Sequence, residues 1–138
     1  MKKNKMAMYA SMLSDLISGT NETGEKMSKD YEPLEKAMDK SDLSGIDLVS
    51  TKKTFQDGTN TYKTYLDKLS SADVPAKTLG MHSNLKSAYA NYVKGCQDMV
   101  DSIKDDDIDK DSFNQAGDLQ QTSIEKVFKY AQKIMITA

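Results

Sequence analysis

The chain contains no Arg and no Trp, one Cys, one His and two Pro among its 138 residues. Each scarcity removes a class of function. Arg supplies the planar fork that contacts guanine, phosphate or carboxylate through two hydrogen bonds at once, and all 19 basic residues here are Lys. With 21 acids against them the net charge is −2, which speaks against a nucleic-acid binder. A single Cys rules out a disulfide scaffold and a CxxC-type zinc or redox site. A single His leaves no catalytic His pair and no His-rich metal site within one chain. Long apolar runs are missing too, since no stretch approaches the ~18–20 residues of a membrane span.

Core-forming residues are also sparse. Leu, Ile, Val and Phe make up 25 residues, or 18%, and a share below ~20% accompanies disorder when net charge is high. That second condition fails here. Nine Met and seven Tyr add apolar surface, so a folded chain with a lean core is expected, of a size to form one domain over 1–138 without disulfides or metals. The start, Met1-Lys2-Lys3-Asn4-Lys5, resembles the basic region of a signal peptide. Ser11, Ser14 and Asp15 interrupt the apolar run after it and no small-x-small cleavage site follows, so it is read as part of the folded chain. A cytoplasmic location is favoured on that ground, with secretion left open. The bias to Lys, Asn, Asp, Ser and Tyr without Arg suits a low-GC bacterial genome.

Four segments place apolar residues at helical spacing. Leu48, Phe55, Tyr62, Leu66 and Leu69 predict a helix over about 47–71 with Asp47 as its N-cap. Pro75, at a first helical position, opens a second over about 74–104, with a stripe through Leu79, His82, Leu85, Tyr89, Cys96 and Ile103. Phe113, Ala116, Ile124, Val127, Ala131 and Ile134 mark a third over about 110–136, capped by Asp109, Asp111 or Ser112. At the start of the chain a seven-residue beat persists across Gly19, Gly24 and Pro33. One helix over about 4–40, bent near Pro33, is favoured over two separated by a break at 18–24. Short connections make neighbours antiparallel, so the predicted fold is an all-α, up-down-up-down four-helix bundle. The hairpin at 72–75 is expected to set Phe55 level with Tyr89, and Tyr62 level with His82.

Chemistry-bearing patterns are few. Asp98 to Asp118 carries eight Asp and two Lys. Within it Asp107, Asp109, Asp111 and Asp118 match positions 1, 3, 5 and 12 of a calcium loop. Ser112 replaces the turn Gly, Asn114 the usual aliphatic and Asp118 the usual Glu, so helix capping with a solvated loop 105–118 is the plainer account. His82 lies on a core stripe, where it is either a satisfied core residue or a pH-sensitive one. Cys96, two heptads further on, is ~21 Å away along the helix and reads as a buried thiol. No Gly-rich phosphate loop, Gly-x-Ser-x-Gly elbow or enclosed carboxylate pair appears, and no cofactor is implied. A ligand-holding bundle with a pocket near Tyr62, His82 and Tyr89 is a further reading. The first segment offers the best lead: Met6, Met8 and Met12 beside Tyr9 and Leu13 serve either the core or a partner, since thioethers repack readily against varied surfaces, and Met6, Tyr9, Leu13, Leu16 and Met27 are the candidate contact residues. Lys2, Lys3 and Lys5 beside it are few for attachment to an anionic membrane.

Tyr31-x-x-x-Glu35 looks like the Tyr-x-x-x-Asp/Glu export signal of type VII secretion, although the Trp-x-Gly turn of that system's helical-hairpin partners is missing. In class the chain is similar to those partners and to bacteriocin-immunity proteins, which are also small Lys-rich helical bundles. Nothing is carried over from that likeness; the absence of site chemistry and the long first helix bearing Met6, Leu13, Leu16 and Met27 make the expected function non-enzymatic: a helical bundle that works by contact with a protein partner or a second copy of itself. A calcium-binding helical module and a small secretion- or immunity-type partner protein are the alternatives.

Overall fold

The seven-residue beat at the start of the chain winds into one uninterrupted helix, α1 (Lys2–Asp39). The structure, a computed structural model, describes residues 2–137, with side chains from residue 5 onward. Tyr9, Leu13, Leu16, Thr20, Leu34 and Met38 are buried along the face that the beat selects. Neither Gly19, Gly24 nor Pro33 breaks the helix. Gly19 instead makes room for a neighbour, because the Tyr65 ring occupies the space a Cβ would need there. Pro33 is exposed, so the Lys29 carbonyl that loses its helical partner can be hydrated instead of being stranded in the core. The helix stops in a Schellman turn. Asp42 N–H donates to the Ala37 carbonyl and Ser41 N–H to that of Met38, both at 3.0 Å. Ser41 takes the left-handed position, with φ 53°.

Helices α2 (Leu48–Ser71), α3 (Leu79–Ser102) and α4 (Lys110–Thr137) complete the antiparallel four-helix bundle. Both capping acids act as the sequence suggests. Asp47 Oδ1 accepts the Ser50 N–H at 3.0 Å and Asp109 Oδ1 the Ser112 N–H at 3.2 Å, each satisfying an orphan donor of the first turn. Hydrogen bonding from Ser112 holds the exposed Asp109 carboxyl below its ordinary pKa. Between α3 and α4, Lys104 N–H donates to the Asp107 carbonyl at 2.7 Å and Asp109 N–H to that of Ser102 at 2.8 Å. Buried Ile103 and Ile108 pair across this tight turn, which leaves Asp105, Asp106 and Asp107 in water.

The start of α3 departs from expectation. Pro75 is extended (φ −60°, ψ 139°) and precedes a single 3-10 turn, Ala76–Thr78, so α3 begins only at Leu79. The Pro75 carbonyl accepts both the N–H and the hydroxyl of Thr78, which fixes that turn. A longer connection moves the centre of the hairpin along the chain and shifts the α2/α3 register. Tyr62 therefore meets Tyr92 (ring centroids 5.0 Å apart) and Tyr89 (6.5 Å), not His82. His82 lies instead beside Leu69. Gln56 and Gln97 exchange hydrogen bonds across this seam at 2.9 and 3.0 Å.

Helix contacts are uneven around the bundle. The most extensive joins α3 and α4, whereas α1 lies against α2 and touches α4 sparsely. Gly95 permits the close approach of α3 to α4: a Cβ there would stand 3.1 Å from the Gln120 nitrogen and 3.2 Å from the Ala116 carbonyl oxygen. The buried core falls into two clusters. One gathers Leu13, Leu16, Leu85, Tyr89, Val127 and Ile134, and the other Leu34, Phe55, Met99, Ile103 and Phe113. No helix of the structure is long and apolar enough to cross a membrane.

Candidate functional site

Buried polar groups form two separate hydrogen-bonded sets along the first half of α1. The Leu69 carbonyl can only accept, so His82 Nε2 carries the proton and donates to it at 2.9 Å. Nδ1 then accepts from the Tyr9 hydroxyl at 2.7 Å. Burial disfavours the imidazolium and pushes the His82 pKa down. Below it the Thr20 and Tyr89 hydroxyls bond at 2.8 Å, and Thr20 Oγ1 also donates to the Leu16 carbonyl. Among the described residues no buried side-chain polar atom lacks a partner. Tyr62 and Tyr89 are fully covered. The space expected near Tyr62, His82 and Tyr89 is therefore filled by packed rings, and these groups serve the fold. Burial likewise lifts the Cys96 thiol to about 12 and the Tyr62 phenol to about 12, far from nucleophilic use at neutral pH.

The stripe expected to meet a partner faces inward. Tyr9, Leu13 and Leu16 are core residues, while Met6 and Met27 are half-buried against them. Their helix-period spacing suits a bundle core, and the bundle uses it so. Lys5 pairs with Asp73 at 3.0 Å, and the side chains of Lys2 and Lys3 lie outside the described residues. Tyr31 donates to Glu35 Oε2 at 3.0 Å, with its ring half-buried between Phe55 and Phe113. Burial first, then the neighbouring Glu35 carboxylate, raises this phenol to about 12.

The four acids of the calcium pattern are not brought together. Asp107 lies in the tight turn and Asp109 caps α4. Asp111 sits in the first turn of that helix, and Asp118, seven residues on, is displaced by ~10 Å along the axis. All four are exposed. Among the described residues no three His, Cys, Asp or Glu side chains are placed to share a metal ion. Starting α4 at Lys110 is what prevents the later positions from wrapping back.

What the bundle leaves in water is a different apolar set. On α4, Ile136 is 78% exposed and Phe128 and Met135 are each 37% exposed. With Ile17, Ala131 and Gln132 they line a groove between the first half of α1 and the last turns of α4. Beyond Glu125 the helix carries Lys126, Lys129 and Lys133 and no acid. On the other flank of α1, Met8 is 72% exposed and stands with Met12, Tyr65 and Lys68 around a second depression. A signal for the α4 groove was present in the sequence. Phe128, Met135 and Ile136 are apolar, lie off the core stripe and sit among lysines. Comparison of the chain with protein-family models, curated proteins and solved structures finds no match.

Proposed function

We propose that this chain is a non-enzymatic helical-bundle protein that acts by holding a partner protein, and that its contact face is the groove between the first half of α1 and the last turns of α4. The carrying observation is the exposed set Phe128, Met135 and Ile136, with Ile17 opposite, in a stretch of α4 whose only charges are lysines. A groove between two helices accepts the apolar ridge of a third, and neighbouring lysines select acidic flanks. The partner is accordingly an amphipathic helix with acidic residues beside its apolar face. A second copy is a poorer occupant, because a two-fold contact through this groove would set the same lysines against each other. The sealed His82 and the raised Cys96 thiol support the non-enzymatic part of this reading.

Fluorescence anisotropy of a labelled synthetic helix with a Leu/Phe face and Glu flanks tests the idea. Saturable binding is expected, at least tenfold weaker for Ile136→Ser or Phe128→Ser, and weaker in high salt. Equal affinity for a Lys-flanked version of the peptide would overturn it. So would co-sedimentation of the chain with anionic phospholipid vesicles, or a dimer in sedimentation equilibrium that Ile136→Ser dissolves.

A further inference from the structure

The two core clusters leave a waist between them, and the waist is not filled. A cavity of about 300 Å³ lies there, with walls from all four helices. Two of its walls are α1 and α4, the neighbouring helices in sparsest contact. Gly24 and Gly117 stand on its α1 and α4 sides. A Cβ on Gly117 would meet only the Met99 methyl, at 3.6 Å, and one on Gly24 only the Tyr62 hydroxyl, at 3.5 Å. Both are ordinary contacts, so the glycines border free space.

We propose that this waist cleft is a binding site for a small, uncharged aromatic molecule, separate from the groove at the end of the bundle. Size is the first support. A cavity of ~150 Å³ suffices for benzene, and ligand sites begin near ~300 Å³. Charge is the second. In a chain that is 29% charged, no residue lining the cleft is Asp, Glu or Lys. An ion moved into it would lose hydration without gaining a counter-charge. The third is the character of the walls, where the rings of Tyr31, Phe55 and Tyr92 and the thioethers of Met27 and Met99 converge. Ring edges and sulfur atoms both favour an aromatic guest. Ser28 and Gln121 offer polar recognition. Their present bonds, to the Glu25 carbonyl and the Glu125 carboxylate, are exposed and can be exchanged for one to the guest at little cost.

The test is a titration of the full chain, carrying ¹³C-methyl-labelled Met, with the neutral fluorophore N-phenyl-1-naphthylamine. One-to-one saturable enhancement of fluorescence is expected, with the Met27 and Met99 methyl signals moving while those of Met8 and Met135 stay. Gly117→Leu, which fills the cleft, is expected to weaken binding at least tenfold without lowering the melting temperature. Should that variant not fold, Gly24→Ala on the opposite wall is expected to weaken binding at least threefold, and the methyl shifts of the unaltered chain decide in any case. Absence of saturable binding would overturn the proposal. So would shifts at Met8 and Met135 in place of Met27 and Met99, or unaltered affinity in a folded, filled variant.

Discussion

Two glycines facing the same interhelical region, Gly95 on α3 and Gly117 on α4, are expected to respond in opposite directions to one added methyl group. In a helix, Gly→Ala gains ~1 kcal/mol from backbone entropy alone. At Gly117 the methyl meets only the Met99 methyl at 3.6 Å, so most of the gain survives and Gly117→Ala is expected to stabilise the fold by ~0.5–1 kcal/mol. At Gly95 it would come within 3.0 Å of Gln120 Cγ, 3.1 Å of its backbone nitrogen and 3.2 Å of the Ala116 carbonyl oxygen. Two of these atoms belong to the backbone of α4 and cannot swing aside. Relief requires separating the most extensive helix pair in the bundle, and overpacking of this kind costs ~1–3 kcal/mol. Set against the propensity gain, Gly95→Ala should destabilise by ~1 kcal/mol. Urea unfolding followed by circular dichroism reads both changes as shifts in midpoint at constant slope. In thermal unfolding each kcal/mol corresponds to roughly 3–4 °C for a chain of this size. Equal shifts of the same sign, or a stabilised Gly95→Ala, would refute the close α3/α4 approach.

Ser41 occupies a left-handed position that costs a non-glycine residue ~1 kcal/mol, so Ser41→Gly should stabilise the fold by that much or slightly less, seen as a higher urea midpoint at constant slope. His82 should make the fold acid-sensitive near neutrality. Burial holds its pKa below the ordinary 6.5, so the unfolded chain takes the proton first. Stability is then full above about 6.5 and falls as the pH drops below it toward the folded-state value, by at most ~1.4 kcal/mol per pH unit. Melting curves between pH 7.5 and 5 should show this decline, and His82→Gln should flatten it. Millimolar calcium should leave the melting temperature unchanged within 1 °C, because Asp107, Asp109, Asp111 and Asp118 are exposed and apart. A clear rise on adding calcium would show that the loop closes around the ion.

Helix number, direction and caps were legible in the sequence because they depend on local physics. The beat of Tyr9, Leu13, Leu16 and Thr20 is a property of one helix, and Asp47 and Asp109 cap the turns directly after them. What crosses between helices was less visible. The α2/α3 register depends on whether Pro75 begins a helix or precedes a 3-10 turn, and the second choice moved Tyr62 away from His82. The spacing within α1 and α2 also gave no sign that Gly19 and Gly58 receive Tyr65 and Met27, a role set by the partner helix. What covers the first-helix stripe was hidden for the same reason. An apolar stripe announces burial without saying whether the covering surface is internal, and Tyr9, Leu13 and Leu16 are covered by the bundle itself. Among the exposed apolar residues, Phe128, Met135 and Ile136 share one helix end, and they carry the proposed contact face.

The most direct test of the proposed contact face is an amide chemical-shift map of the chain titrated with the Glu-flanked amphipathic helix. Shifts are expected to concentrate at residues 10–17 of α1 and 128–136 of α4, with the acidic turn at 105–109 unmoved. Shifts centred on that turn or on the α2/α3 seam, or a spectrum unchanged at saturating peptide, would contradict it.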